Sequence, residues 1–356
     1  MTTLSSTHRD KTIDILKGLG ICLMVTGHCG FPFTHFIYLF HMPIFFIASG
    51  YVFKMSYTES WQGVKQVVKK RVIGLLVPYF VFSILYIIVW NPFSQLHITD
   101  TSPKTPADTL LSIVKVFCFK SEGGALAGAL WFLRALFFTT FGFALVEYVF
   151  NRIHLKFKEL FHILLALILF AIGYLAPNRL HGIDLIQCTY ILFFFGSIIR
   201  RDQLLKVTSN RANILILTIS TLILYILNDL GSIELSQRIY TSPWFFFVAS
   251  IVGWYLMYSL SFLLTQTTYL QRIFTYLGRN TICVIVLHFL CFKVITLLQI
   301  IIYDLPISKL SAFPFLDTQP YWWIPYTIAG ICIPLLFNLF YQKSKTLISL
   351  TLLRIK

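Results

Sequence analysis

Lys17, His28 and His41 are the residues whose chemistry and spacing first demand an explanation in this chain. Lys17 and His28 share one apolar run, Ile13–Cys29, with Asp14, and His41 opens the next apolar stretch. A charged side chain at a bilayer centre costs at least about 2.5–3.5 kcal/mol, so an ionisable group inside a span is a functional candidate by default. Lys17 and His28 are eleven residues apart. At roughly 100° per residue this is three turns plus a small remainder, which puts both on one helix face about 16 Å apart. One face thus carries a cation low down and an imidazole near its other end.

His28 stands in G-H-C-G and His41 in F-H-M-P. The glycines around His28 allow close approach of backbone or ligand, and Pro43 starts the second helix in a distorted way that leaves polar groups free. A neutral imidazole takes a proton from a hydroxyl nucleophile, which is what acyl transfer to an alcohol requires. Cys29 does not form a couple with His28, because adjacent helical residues point about 100° apart. There is no G-x-S-x-G, no H-E-x-x-H and no zinc-like ligand spacing, so no metal is expected.

Further polar groups sit in apolar surroundings. Arg134 lies in L-W-F-L-R-A-L beside Trp131 and needs a carboxylate, a carbonyl or a ligand anion as partner. Ser49 and Gly50 either pack helices through small side chains or line a site. The segment L-G-R-N-T holds Arg279 and Asn280, whose amide or the hydroxyl of Thr281 can serve a helix start. It leads to a third intramembrane histidine, His288, with Lys293 five residues on.

These groups are embedded in a chain of 356 residues that is 57% hydrophobic and 12% charged. Soluble domains carry roughly 25% charged residues, so the composition is that of a polytopic membrane protein. Apolar windows suggest about ten helices: Ile13–Cys29, Phe36–Met55, Ile73–Trp90, Leu126–Phe150, Leu160–Leu175, Leu185–Ile199, Ile214–Leu227, Trp244–Leu264, Phe274–Tyr303 and Trp322–Tyr341. The fold class is therefore an all-α transmembrane bundle. Residues 1–356 read as a single domain, with no stretch long enough for a separate soluble one, and Met1–Lys11 does not resemble a cleavable signal peptide. The seven cysteines are scattered and form no C-x-x-C pair, so they read as small buried hydrophobes.

The net charge of +15 is explained by topology rather than by nucleic acid. One side collects Arg9, Lys11 and Lys17, then Lys54, Lys65, Lys69, Lys70 and Arg71, then Arg152, Lys156 and Lys158. The same side receives Arg200, Arg201, Lys206, Arg211, Arg272, Arg279, Lys343, Lys345, Arg354 and Lys356. Only Lys104, Lys115, Lys120, Arg179, Arg238 and Lys309 fall on the other. Both termini are thereby expected in the cytoplasm. The basic stretch Lys65–Pro78 anchors the chain to anionic lipid or offers an anion site for a phosphorylated cofactor. Three outer connections, Asn91–Ala125, Asn228–Pro243 and Asp304–Tyr321, are polar and proline-bearing, and together suit an acceptor surface.

With these residues in view, the chain resembles the membrane-bound acyltransferase-3 family, especially its fucose 4-O-acetylase-like sugar acetyltransferases. The matching blocks are Lys17-x10-His28, Phe40–Tyr51, the basic run ending in Val77–Tyr79, Leu130–Leu133, and L-G-R-N-T with the later Leu287–His288. Many members have Arg where this chain has Lys17, which exchanges a planar clamp for a point charge. The resemblance implies transfer of an acetyl group from acetyl-CoA to a hydroxyl of a cell-surface glycan or its lipid-linked sugar precursor, in a bacterial inner membrane. It implies His28 as general base on the acceptor hydroxyl or as the group that positions the thioester, supported by His41, and Lys17, with the basic run Lys69, Lys70 and Arg71, against the coenzyme phosphates. Asp14, Ser49, Trp131, Arg134, Arg279, Asn280 and His288 are further pocket candidates. Two rival readings are a transporter or flippase that uses the buried His, Lys and Arg for coupling, and a non-enzymatic partner in glycan export. The first lacks an evident inverted repeat, and the second leaves Lys17, His28 and His41 without a task.

Overall fold

The computed structural model describes residues 10–99, 102–176, 182–204 and 209–354, with side chains up to residue 345. Arg9, Arg179, Lys206 and Lys356, four of the charges that orient the chain, lie outside the described residues, as does the side chain of Arg354. Helix α1 (Lys11–Gly27) is followed by the short α2 (Thr34–Tyr38) and α3 (Pro43–Tyr51). Next, α4 (Trp61–Arg71) passes through a π turn at Val72–Leu76 into α5 (Val77–Ile88). The long connection holds α6 (Trp90–Gln95) and α7 (Pro106–Phe117). Then come α8 (Trp131–Arg152), α9 (Lys158–Leu175), α10 (Ile183–Arg201) and α11 (Asn210–Leu230). A two-stranded antiparallel ribbon, β1 (Ile233–Glu234) and β2 (Ile239–Tyr240), pairs Ile233 with Tyr240. The chain ends in α12 (Pro243–Leu264), α13 (Thr268–Arg279), α14 (Thr281–Ile302) and α15 (Trp323–Arg354).

Among the described residues, eight helical segments are long and apolar enough to cross a membrane. Helix α1, at 17 residues, and the broken pair α2–α3 supply the other two of the ten expected elements. Helices α1 and α3 pack inside the bundle, with protein rather than lipid around them, while α2 lies at its end with only Ile37 buried. The chain is thus an all-α, multi-pass membrane protein.

Side chains start several helices. Asp10 accepts from the Thr12 amide at 3.0 Å to cap α1, and Ser60 accepts from the Gly63 amide at 3.1 Å to cap α4. Thr105 and Asp108 cap α7 reciprocally. The Thr105 hydroxyl and amide hold the exposed Asp108 carboxyl below the usual carboxylate range.

Four element boundaries differ from those suggested by hydropathy, each for a physical reason. The run Phe36–Met55 is not one helix, because Pro43 has no N–H and its ring clashes with the carbonyl four residues back; α2 ends at Tyr38 and α3 starts at Pro43. His41 sits in that break. The third span begins at Trp61 rather than Ile73, and the π turn ahead of Pro78 carries the helix on, so Lys65–Arg71 ride on a helix. The run Phe274–Tyr303 divides at Asn280 into α13 and α14. Finally, α15 continues to Arg354, well past Tyr341.

Helix α1 is enclosed by α12, α13, α14 and α15, and it crosses α13 at close range. A Cβ on Gly18 would stand 2.2 Å from the Phe274 carbonyl oxygen, and one on Gly278 would stand 1.8 Å from that of Asp14. Only glycine on both helices allows backbones this close. Both described ends of the chain lie on one face. Arg279 meets Asp14 there, Asn338 of α15 donates to Asn280 at 2.8 Å, and Arg200 at the end of α10 stands 4.0 Å from Asp10. We call this the basic face.

Candidate functional site

At the opposite end of α1 the helix stops at Gly27, and His28 forms its C-cap. The α2 turn returns the chain over this end, so that the Tyr38 hydroxyl donates to the Gly27 carbonyl at 3.0 Å. That hydroxyl has one proton. Its oxygen therefore receives the Nδ1–H of His28, 3.1 Å away, and the His28 Nε2 keeps its lone pair. This tautomer is the one a general base needs, with the acceptor nitrogen at the far tip of the ring.

His41 and His288 surround the same group. The His41 ring lies 4.8 Å from the Tyr38 ring, and its Nδ1 donates to the Ile37 carbonyl at 3.1 Å. The His288 ring, fully buried on α14, stacks on His28 with centroids 5.6 Å apart and planes 20° from parallel. Its Nδ1 donates to the Val284 and Ile285 carbonyls at 3.0 and 3.1 Å. Its Nε2 is buried and, among the described residues, has no hydrogen-bond partner. Phe289 closes the cluster at 5.1 Å from His28. The three histidines expected from sequence are thus brought together, each with Nδ1 held and Nε2 left as acceptor.

His28, Tyr38 and His41 line a cavity of about 40 Å³ whose remaining walls include Met24, Phe45, Trp131, Phe132, Glu234 and Ser236. A water needs about 10–15 Å³ on this measure, so the space takes a hydroxyl-bearing edge and not a whole sugar. Glu234 and Ser236 belong to the β1–β2 ribbon, where the Ser236 hydroxyl donates to the Glu234 carboxylate at 3.0 Å. A larger cavity of about 360 Å³ shares Trp131 and Ser236 with the first and contains Arg134 and Arg238.

Arg134 meets two of the three kinds of partner that its position called for, a carboxylate and a carbonyl. It pairs with Glu122 at 3.1 Å and donates to the Phe119 carbonyl at 2.5 Å. Lys293 donates to the Leu310 and Ala312 carbonyls at 2.9 and 2.8 Å, which pins the outer connection 304–321 to α14. Ser49 is buried in α3, where Gly50 abuts the Phe193 carbonyl; its place is helix packing.

The basic face holds a separate set of candidates. Asp14 is buried and accepts from the half-exposed Arg279 at 3.2 Å. Lys17 is half-buried on α1 three residues beyond Asp14. Asn280 caps no helix with its side chain; its amide donates to the Tyr276 carbonyl at 2.8 Å. Arg279 and Asn280 stand at one end of an apolar groove of about 490 Å³ between α5, α14 and α15 that runs to Val286 and Leu287. Lys69 and Lys70 lie at the end of α4. Lys70 donates to the Tyr57 hydroxyl at 2.5 Å, Lys69 lines a shallow surface groove, and Arg71 is half-buried where the π turn begins.

Tyr38, Glu234, Ser236, Glu122 and Arg238 were not among the sequence candidates. Tyr38 alone had a local signal, since it lies three residues before His41 on one turn. The others reach the site through tertiary folding. No cluster of three or more His, Cys, Asp or Glu suited to a metal ion occurs among the described residues.

Comparison with known proteins now gives this geometry a context. Residues 10–352 match the acyltransferase domain of the acyltransferase-3 family. Nodulation protein NolL of Mesorhizobium japonicum is 25% identical over 207 residues, 53% of this chain and 47% of that protein. The match thus spans about half the length of that relative. No solved structure matches the chain.

Proposed function

The chain belongs to the acyltransferase-3 family and is a membrane acyltransferase, and from that membership we propose that it moves an acetyl group from acetyl-CoA to a hydroxyl of a cell-surface glycan or of its lipid-linked sugar precursor. The observation that carries this reading is the His28 imidazole, held by Tyr38 with Nε2 bare in a cavity sized for a hydroxyl.

In this reading His28 Nε2 takes the proton of the acceptor hydroxyl as its oxygen attacks the thioester carbonyl carbon. The carbon–sulfur bond breaks as the new ester bond forms. The imidazolium returns the proton to the departing sulfur, so coenzyme A leaves as a thiol and His28 ends as it began. His41, with its Nδ1 fixed on Ile37, offers its Nε2 to orient the hydroxyl. His288 stacks against the base and restricts its ring.

The donor enters from the basic face, which we assign to the cytoplasm by the excess of Lys and Arg. Lys17 and Arg279, with Lys69, Lys70 and Arg71 nearer the lipid surface, supply positive charge for the coenzyme phosphates. The apolar groove that starts at Arg279 and Asn280 suits the uncharged pantetheine arm. An acceptor on the opposite face meets the outer connections, including the β1–β2 ribbon.

Membrane vesicles carrying the chain, supplied with radiolabelled acetyl-CoA, test this. Label should pass into an extractable glycan or lipid-linked sugar in wild type and fall to background in His28→Ala. A glycan that crosses the membrane without acquiring label would instead mark a transporter.

A further inference from the structure

Beside the histidine cavity, the larger cavity of about 360 Å³ has walls of a different kind. Arg134 from α8 and Arg238 from the ribbon turn toward the same spot. A Cβ built on Gly182 would stand 3.0 Å from the Arg134 Nη2 and 3.5 Å from the Arg238 Nη2. Gly182 has φ +93°, a conformation that L side chains rarely adopt, so the place where two guanidinium groups converge is kept clear of a side chain.

Each guanidinium is already held in position. Arg134 pairs with Glu122 at 3.1 Å and donates to Phe119, while Arg238 pairs with the buried Asp184 at 3.0 Å and donates to the Ser236 carbonyl at 2.6 Å. These bonds engage Nε and Nη1 of Arg238 and leave its Nη2 directed at Gly182. Lys120, exposed on the same wall, adds a third cation. Counting the two arginines and Lys120 against Glu122 and Asp184, the charge here is net positive. Arg134 Nη2 gives one proton to Glu122 and has a second, Arg238 Nη2 has both, and these two converging N–H groups match the oxygens of a carboxylate or a phosphate.

The shared walls give this anion site its place in the reaction. Trp131 and Ser236 line both cavities, so the larger one lies directly beside the cavity that holds His28. Trp131 also offers an aromatic wall to a sugar ring.

We propose that the Arg134–Arg238 cavity seats a negatively charged group of the acceptor, so that the acylated hydroxyl belongs to a sugar bearing a carboxylate or a phosphate. This deepens the acyl-transfer reading and rests on it. A glycan built with uronic acid and a sugar phosphate, as in a lipid-linked precursor, share this chemistry.

The test is equilibrium binding of glucuronate, glucose 1-phosphate, glucose and inorganic phosphate to the purified full-length chain in detergent. Glucuronate or glucose 1-phosphate should bind at least about tenfold more tightly than glucose, as expected for charge-assisted hydrogen bonds from two guanidinium N–H groups to an oxyanion. Whichever binds more tightly identifies the source as acidic glycan or sugar phosphate. Arg238→Lys keeps a positive charge beside Asp184 but removes the Nη2 donor, and should abolish most of that preference; Lys120→Gln, at an exposed position, should reduce it in a chain that folds normally. Equal binding of glucose and both anions would overturn the proposal. So would inorganic phosphate binding as tightly as glucose 1-phosphate, which would show that no sugar is recognised, or an anion preference that survives both substitutions. The vesicle assay keeps the two readings apart: acetyl transfer without anion preference defeats the anion site alone, and anion preference without acetyl transfer defeats the acyl-transfer reading.

Discussion

Replacing Tyr38 by phenylalanine removes one oxygen atom from the site and leaves the ring in place. Two bonds go with it, the one to the Gly27 carbonyl at 3.0 Å and the one to His28 Nδ1 at 3.1 Å. A polar group left without its partner in such surroundings costs about 1–3 kcal/mol. The His28 Nδ1–H is then no longer favoured over Nε2–H, and the ring is free to turn. If that cost falls on the reacting complex, turnover drops by about 5- to 150-fold. The donor site is elsewhere, so its KM should stay within about twofold, as for an interaction made only in the transition state. The assay is initial-rate transfer of radiolabelled acetyl groups by the purified chain, with a thermal unfolding curve run alongside. A Tyr38→Phe protein that melts like wild type and turns over at the wild-type rate would refute the tautomer assignment.

Three further outcomes are expected. Because His28 must be neutral to accept a proton, transfer should fall as pH is lowered through its titration and level off above it; a profile flat from acid to neutral pH, measured in sealed-free detergent solution, would count against a histidine base. Lys17→Ala should raise the KM for acetyl-CoA more than it lowers kcat, with Lys17→Arg retaining much of the activity, and equal KM values in all three proteins would remove Lys17 from the donor site. Gly278→Ala places a methyl group 1.8 Å from the Asp14 carbonyl oxygen, an overpacking that costs about 1–3 kcal/mol; thermal unfolding should begin at a lower temperature than in wild type.

How far the sequence could be read depended on whether the information was local. His28, His41 and His288 stood out because ionisable groups are expensive in lipid, and the fold gathers all three. The spacing from Lys17 to His28 held as well, since α1 is one unbroken helix up to its cap at His28. The division of Phe274–Tyr303 at Asn280 was hidden, because apolar residues continue on both sides of the break and hydropathy does not register a change of direction. Pro43 did signal a distorted start, yet the length of the apolar run concealed that α2 and α3 are separate. Glu234, Ser236 and Arg238 lie in an ordinary polar connection by composition, and only the ribbon that folds back over α1 makes them walls of the cavities. The run Lys65–Arg71 was legible as charge but not as helix, since the π turn before Pro78 is what lets the span extend back to Trp61.

The role given to the first helix is tested most directly by His28→Gln, which keeps a polar side chain of similar reach but cannot serve as a base near neutral pH. General-base catalysis is worth about 10²–10⁴-fold, so single-turnover acetyl transfer by the purified variant should be slower by at least about 100-fold with its unfolding temperature unchanged. Transfer at the wild-type rate would contradict the assignment of His28 as the base.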